Sequence, residues 1–164
     1  MKDINNTFIE KLHECNQHKN RLLTAKSHLQ KYIPIDKNGY SVLGDIEMGF
    51  IDQMIFRFSK LQDTMGEKLF PSLLELMGEE VKSKPFIDRL NRIEEFGILY
   101  KNEWMALRKD RNEIAHEYSF NQDEVIEGIN LIFSSSHKLL AIYDTFVSYV
   151  NEKFEFVKNS QILQ

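Results

Sequence analysis

Apolar residues three and four positions apart recur through most of this chain, and that spacing most constrains its fold. It puts apolar side chains on one face of an α-helix, whereas a strand needs alternation at every second position. The pattern covers residues 4–33, 41–78 and 125–154, and only three Pro and seven Gly interrupt the 164 residues. The spacing predicts an all-α chain. In the second stretch the apolar face carries Ile46, Phe50, Met54, Phe58, Leu61 and Met65.

Breaking residues set the predicted ends of the first two helices. Pro34 ends the first, because the residue before a proline avoids helical geometry. Asn38-Gly39 predicts a turn, and Ser41 is the candidate cap of the second helix. The second helix is expected to bend or restart at Gly66 and Pro71 and to end at Gly78.

A short helix and the start of a longer one follow. Pro85 suits the first turn of the short helix, and Gly97 closes it. The next helix is predicted over roughly 103–116, with Asn102 as its cap. Residues 119–122 are then expected to form a loop.

The last long helix contains three consecutive serines at 134–136, where another helix is expected to pack closely. The tail from residue 159 is expected to be loose. Four principal helices with short connections predict an up-and-down antiparallel four-helix bundle with a short extra helix. A chain of this length fits a single domain, 1–164, with its core over about 3–157.

Cysteine usage and hydropathy suggest the compartment. The single Cys15 cannot form an internal disulfide, which favours a reducing cytoplasmic location, and its place on the apolar stripe favours a buried residue. The polar start Met1–Asn6 lacks the apolar core of a signal peptide. No apolar run approaches the roughly 18 residues of a membrane span, so we expect no membrane partner.

Charge is unevenly distributed. The chain has a net charge of −4, which argues against nucleic-acid binding by bulk attraction. Residues 82–111 nevertheless hold eight Lys and Arg against five Asp and Glu, a net of +3. A confined phosphate site and chance clustering on a solvated face both fit this distribution.

The polar residues of the helix at 103–116 break its amphipathic pattern. Trp104, Leu107, Arg111, Ile114 and Tyr118 share one face, so a guanidinium interrupts an otherwise apolar or aromatic stripe. His116 lies roughly 140° around the axis from that arginine, at 100° per residue. One straight helix cannot direct both side chains at one point. Either the helix turns near its end, or two copies of the segment meet.

The run Arg111-Asn-Glu-Ile-Ala-His116-Glu-Tyr118 resembles the HEPN fold, and most closely its HepT-type toxin branch. The similarity covers about residues 40–120. It extends to Phe56-Arg-Phe-Ser-Lys-Leu-Gln-Asp63, Asp88-Arg89-Leu90, Glu94, Gly97, Trp104 and Leu107-Arg108.

The resemblance implies a homodimer with a metal-independent endoribonuclease site, free of cofactors and built from two copies of the motif. It also implies a nucleotidyltransferase antitoxin that can adenylylate Tyr118. In RNA cleavage His116 would be the base, Arg111 would stabilise phosphoryl charge, and Asn112 would orient the imidazole or contact the phosphate. Arg108 and Tyr118 would contact the RNA.

Structural roles for the same residues stay open. His116 near a helix end complements the helix dipole. Arg111 can be a core-edge arginine paired with Asp88 or Glu94, and Tyr118 can be a packing aromatic. The functional alternative is a non-catalytic helical module that binds a nucleotidyltransferase and presents Tyr118 to it.

A metal site is a further alternative. Glu10-x-x-His13 and Glu113-x-x-His116 both have the spacing of di-iron bundle ligands. Glu10, however, points roughly 200° away from the face that carries Leu12, and inward glutamates on the other helices are not evident. We therefore expect no metal.

Overall fold

The computed structural model describes residues 3–114 and 120–162. In these ranges the chain forms α-helices, one 3₁₀ turn and one π turn, with no strand. The all-α prediction is therefore confirmed over the described residues. The helices are α1 (Ile4–Leu29), α2 (Lys37–Ser41), α3 (Asp45–Thr64), α4 (Phe70–Leu76), α5 (Phe86–Glu95), α6 (Lys101–Glu113), α7 (Gln122–Lys153) and α8 (Glu155–Asn159).

The long helices α1, α3 and α7 carry most of the core. α1 and α3 make the most extensive contact, and α7 packs against both α3 and α6. The ring centroids of Phe8 in α1 and Phe146 in α7 are 6.3 Å apart. Phe70 contacts Phe146 and Trp104, with centroid distances of 5.8 and 4.9 Å. Trp104 and Cys15 are buried, as predicted. Burial of each such aromatic side chain contributes about 1.5–3 kcal/mol.

The connection from α1 to α3 differs from the prediction. α1 ends at Leu29 and a 3₁₀ turn, Gln30–Tyr32, continues the chain towards Pro34. The predicted turn at Asn38-Gly39 is wrong, because both residues belong to α2. The backbone N–H of Gly39 donates a hydrogen bond to Oδ1 of Asp36 at 2.6 Å, so Asp36 caps this short helix.

The start of α3 also differs. Ser41 is not its cap but the last residue of α2, and its hydroxyl donates to the carbonyl of Asn38 at 2.7 Å. The N-cap is Gly44, whose N–H donates to Oε2 of Glu47 at 3.0 Å. Ile46, predicted to be in the core, is 74% exposed. It lies in the first turn of α3.

The break between α3 and α4 agrees with the prediction. A π turn, Met65–Leu69, joins the two helices, and the N–H of Phe70 donates to the carbonyl of Met65. A Cβ on Gly66 would lie 3.3 Å from Cζ2 of Trp104, so the small residue lets the π turn approach α6. Pro71 stands in the first turn of α4. Gly78 ends this segment with φ of 77°.

The ends of α5 and α6 are only partly as predicted. Gly97 follows α5 with φ of 78°, which confirms it as the terminator. Asn102 is not the cap of α6. That helix begins at Lys101, two residues before the predicted start at 103. The N–H of Lys101 donates to Oε2 of Glu94 at 2.5 Å. α6 ends at Glu113, and residues 115–119 lie outside the described part of the chain.

α7 runs unbroken through the three serines. The hydroxyl of Ser135 donates to Oδ2 of Asp110 in α6 at 2.7 Å, so another helix does pack closely there. The prediction of a loose tail from residue 159 is wrong as far as residue 162. The side-chain amide of Asn16 donates to the carbonyl of Ile162 at 2.9 Å. Among the described helices, none is long and apolar enough to cross a membrane.

Candidate functional site

Arg111 lies in the last turn of α6 and is fixed by a two-pronged ion pair with Asp63 of α3. Its Nε donates to Oδ1 at 3.2 Å, and its terminal nitrogen donates to Oδ2 at 2.9 Å. Each side chain is about one-third exposed. The structural alternative paired Arg111 with Asp88 or Glu94, but its acidic partner is Asp63. The parallel arrangement fixes the guanidinium plane as well as its position.

The ion pair stands at one end of a groove of about 1080 Å³ formed by α3, α7 and the end of α6. Ile51 and Ile129 in its lining are almost fully buried, whereas Phe56 is 49% and Leu131 36% exposed. The buried isoleucines thus form an apolar floor, and the partly exposed Phe56 and Leu131 border an opening to solvent. Because it borders Arg111, it is the main candidate site among the described residues.

The polar lining of this groove is predominantly acidic. Among the described lining residues the cations are Lys60 and Arg111. Asp63 pairs with Arg111, and Glu113 lies 3.8 Å from Lys109. This balance disfavours a polyanion in the groove. The lining carboxylates are Asp52, Asp63, Glu113, Glu124 and Glu127.

Arg108 and Asn112 lie on a different side of α6. They line a separate depression of about 510 Å³ with Met105, Lys109 and Glu113. The guanidinium of Arg108 lies 4.6 Å from the centroid of the Phe86 ring. The structure therefore does not bring Arg108 and Asn112 into the groove with Arg111. Helical geometry explains this, because positions 108 and 112 share a face that is turned by roughly 60–100° from position 111.

His116 and Tyr118, the predicted base and the predicted modified residue, lie outside the described residues. The residue that leads towards them is described. Ile114 packs on α7 so closely that a Cβ on Gly128 would lie 2.8 Å from its Cδ1. The close approach of these two residues defines how the end of α6 meets α7.

Two residues that shape the site were not singled out by the sequence analysis. Asp63 ends the Phe56–Asp63 run that supports the family resemblance. Its pairing with Arg111 could not be predicted from helical spacing, because the two residues are 48 positions apart. Gly128 did have a signal, because a glycine inside a long helical pattern often marks a close approach.

The metal alternative gains no support from the described residues. Glu10 and His13 are both exposed. No group of three or more His, Cys, Asp or Glu within residues 3–114 and 120–162 is arranged to hold a metal ion. The pairing of Glu113 with His116 involves a residue outside these ranges.

Comparison of the chain with models of known families, with curated proteins and with solved structures finds no match.

Proposed function

We propose that this chain is a ribonuclease toxin of the HepT-type HEPN branch, in which α1, α3–α4, α6 and α7 form the up-and-down bundle and α5 is the extra helix. The observation that carries the proposal is the position of Arg111. The arginine of the motif lies at one end of a solvent-open groove, held in a fixed plane by Asp63. A guanidinium presented in this way suits recognition of a phosphate group.

In the proposed reaction His116 takes the proton of a ribose 2′-hydroxyl, and the 2′-oxygen attacks the adjacent phosphorus. The bond to the 5′-oxygen breaks, that oxygen takes a proton from water, and a 2′,3′-cyclic phosphate forms, while His116 returns its proton to solvent. Arg111 stabilises the negative charge on the phosphoryl oxygens. Asn112 orients the imidazole, and no metal or cofactor takes part.

Two features of the groove bear on how RNA would bind. Asp63 occupies Arg111, so a substrate phosphate must replace or share that carboxylate. Arg108 and Asn112 face away from the groove. A homodimer in which the second motif approaches the first would supply the missing groups, which is the arrangement we propose.

The proposed regulator is a nucleotidyltransferase antitoxin that adenylylates Tyr118. The added nucleotide would carry negative charge beside the position of the RNA phosphate. Like charges repel, and the adduct also takes up space, so modification would inhibit cleavage.

The test is His116→Ala. Wild-type chain should arrest growth when expressed alone and cleave RNA when purified, and the variant should do neither while its helical circular dichroism is unchanged. His13→Ala is the matched control, because His13 is exposed on α1 away from the motif. An RNA pool that stays intact after exposure to pure wild-type protein would contradict the proposal.

A second candidate function is a non-catalytic module that docks the nucleotidyltransferase and presents Tyr118. The acidic lining of the groove favours it, since five carboxylates against two cations attract a protein partner more readily than RNA. In that case His116→Ala has no growth arrest to relieve, and binding of the partner is unchanged.

A further inference from the structure

The groove beside Arg111 has an apolar lining that extends beyond any one helix. α3 contributes Ile51, Ile55 and Phe56, and α7 contributes Ile129 and Leu131. Phe56 and Leu131 keep large exposed fractions, 49% and 36%. Exposed apolar side chains gathered around a concave surface are typical of a site that another molecule covers.

The charges around this apolar lining specify what kind of molecule fits. Carboxylates stand on both walls, Asp52 on α3 and Glu127 on α7. Lys60 and Arg111 are the two cations among the described lining residues, and Arg111 is already paired with Asp63. A ligand with cationic groups flanking an apolar surface would therefore match the groove, whereas a phosphate chain would meet repulsion.

The length of the groove suits a helix. The lining residues on α3 run from Met48 to Asp63. At 1.5 Å per residue this wall is about 22 Å long, or roughly four helical turns, and the α7 wall from Glu124 to Leu131 is about 10 Å long, or roughly two turns. An amphipathic helix lying along the α3 wall buries an apolar stripe and leaves its flanking residues at the rim.

We propose that the groove between α3 and α7 binds a basic amphipathic helix of a partner protein, with its apolar face on Ile55, Phe56 and Leu131 and its Lys or Arg residues beside Asp52 and Glu127. The chain carries a net charge of −4. Outside residues 82–111 the chain carries a net charge of −7, the same sign as the groove, which favours a different protein as the occupant; a second copy bound through residues 82–111 is the alternative that the sedimentation measurement below distinguishes. The proposal concerns the groove that borders Arg111 but does not depend on ribonuclease activity.

The experiment uses the full chain and two fluorescent helical peptides about four turns long. Both carry leucines at every third and fourth position, and the remaining positions are lysine in one peptide and glutamate in the other. Fluorescence anisotropy measures binding, and sedimentation of the chain alone measures self-association. The test variant is Asp52→Lys with Glu127→Lys. The matched control is Glu152→Lys, at the far end of α7 and exposed.

The lysine peptide should bind wild type and Glu152→Lys equally, and at least tenfold more tightly than the glutamate peptide does. The double variant should weaken its binding at least tenfold and lose the preference for lysine. Equal binding of the two peptides, or no effect of the double variant, would overturn the proposal. So would a wild-type dimer that the double variant dissociates, because the occupant would then be a second copy. Preferential binding of single-stranded RNA over the lysine peptide in the groove would overturn it as well.

A failure of this test leaves the ribonuclease proposal intact, because Asp52 and Glu127 take no part in the proposed cleavage. Conversely, a chain that binds the lysine peptide but never cleaves RNA would contradict only the ribonuclease proposal. The two proposals are thus separable by these measurements.

Discussion

At the scale of single residues, the degree of burial affects the ionisable side chains of this protein more than their neighbours in sequence do. Arg111 and Asp63 are each about one-third exposed, so solvent screening limits what their pairing adds to stability. Its main consequence is the fixed orientation of the guanidinium. Cys15, in contrast to this partly exposed ion pair, is fully buried. Burial raises the pKa of its thiol and keeps it protonated.

Lys26 is a buried lysine of α1 that contacts a histidine and an aromatic ring of α7. Its Nζ lies 3.0 Å from Nδ1 of His137 and 4.9 Å from the centroid of the Phe133 ring. Only 6% of the residue is exposed, and burial lowers the pKa of the amine from 10.5 to about 8. The folded state therefore binds this proton less readily than the unfolded state.

The unfolded state holds one more proton than the folded state between about pH 8 and 10.5. The free energy of unfolding that depends on Lys26 therefore rises with pH in this window. Lys26→Met should be more stable than wild type at pH 7 by about 1 kcal/mol, because it avoids burial of a charge. The difference should shrink as pH rises through the window.

Urea denaturation of both proteins at pH 7 and at pH 10.5 measures this effect. Lys138→Met, an exposed lysine on α7, is the control and should match wild type at both values. A Lys26→Met difference that is the same at the two pH values would show that burial of the charge is not its cause.

At the scale of elements, the helices were predictable and several of their ends were not. Apolar spacing is a property of each segment, so it predicted α1, α3 and α7, and the glycines themselves predicted the helix ends at Gly78 and Gly97. The starts of α3 and α6 depend on which nearby side chain accepts the first free N–H. Glu47 and Glu94 do so, and nothing in the spacing favours them over Ser41 or Asn102.

The candidate site was predictable to a similar degree. The family resemblance and the odd place of an arginine on an apolar stripe led to Arg111. The acidic groove was not predictable, because its lining comes from α3, α6 and α7, which are far apart in sequence. Which face of α6 holds Arg108 follows from helical geometry alone, but what lies opposite it depends on tertiary packing.

The packing of α6 on α7 can be tested with two glycines. Gly49 in α3 has no atom within 4 Å of an added Cβ, whereas at Gly128 the added Cβ would lie 2.8 Å from Cδ1 of Ile114. Gly49→Ala should raise the free energy of unfolding by about 0.5–1 kcal/mol, the usual gain in helix propensity. Gly128→Ala should stabilise the protein less than Gly49→Ala does, because Cδ1 of Ile114 must first move aside and this offsets part of the gain.

Urea denaturation gives both values. The gain from Gly128→Ala should approach that of Gly49→Ala when it is measured in an Ile114→Val background, since valine lacks the Cδ1 atom that the new methyl group meets. Equal stabilisation by the two alanine substitutions would mean that α6 and α7 do not approach each other as closely as described.

At the scale of the whole molecule, one polar contact links both ends of the chain through the core. The hydroxyl of the buried Tyr143 in α7 donates to Oδ1 of Asn16 in α1 at 2.5 Å. The same asparagine donates through Nδ2 to the carbonyl of Ile162 at 2.9 Å. Asn16 therefore joins the first helix, the last long helix and the segment that follows α8.

This arrangement predicts different effects for its two side chains. Asn16→Ala removes both hydrogen bonds, and leaves the hydroxyl of Tyr143 near only the carbonyl of Leu12, 3.5 Å away. It should lower the free energy of unfolding by about 1–3 kcal/mol. It should also speed digestion of the C-terminal residues by carboxypeptidase. Tyr143→Phe loses one hydrogen bond but keeps the contact between Asn16 and Ile162, so it should destabilise without faster digestion.

Asn20→Ala is the control, because Asn20 lies one turn further along α1 and is exposed. It should leave both stability and digestion unchanged. If Asn16→Ala and Tyr143→Phe were digested at the same rate, then the end of the chain would be held by the packing of Val157, which is buried, and not by the asparagine. That result would mean that apolar packing of α8, and not the hydrogen bond of Asn16, fixes the C-terminal segment to the rest of the molecule.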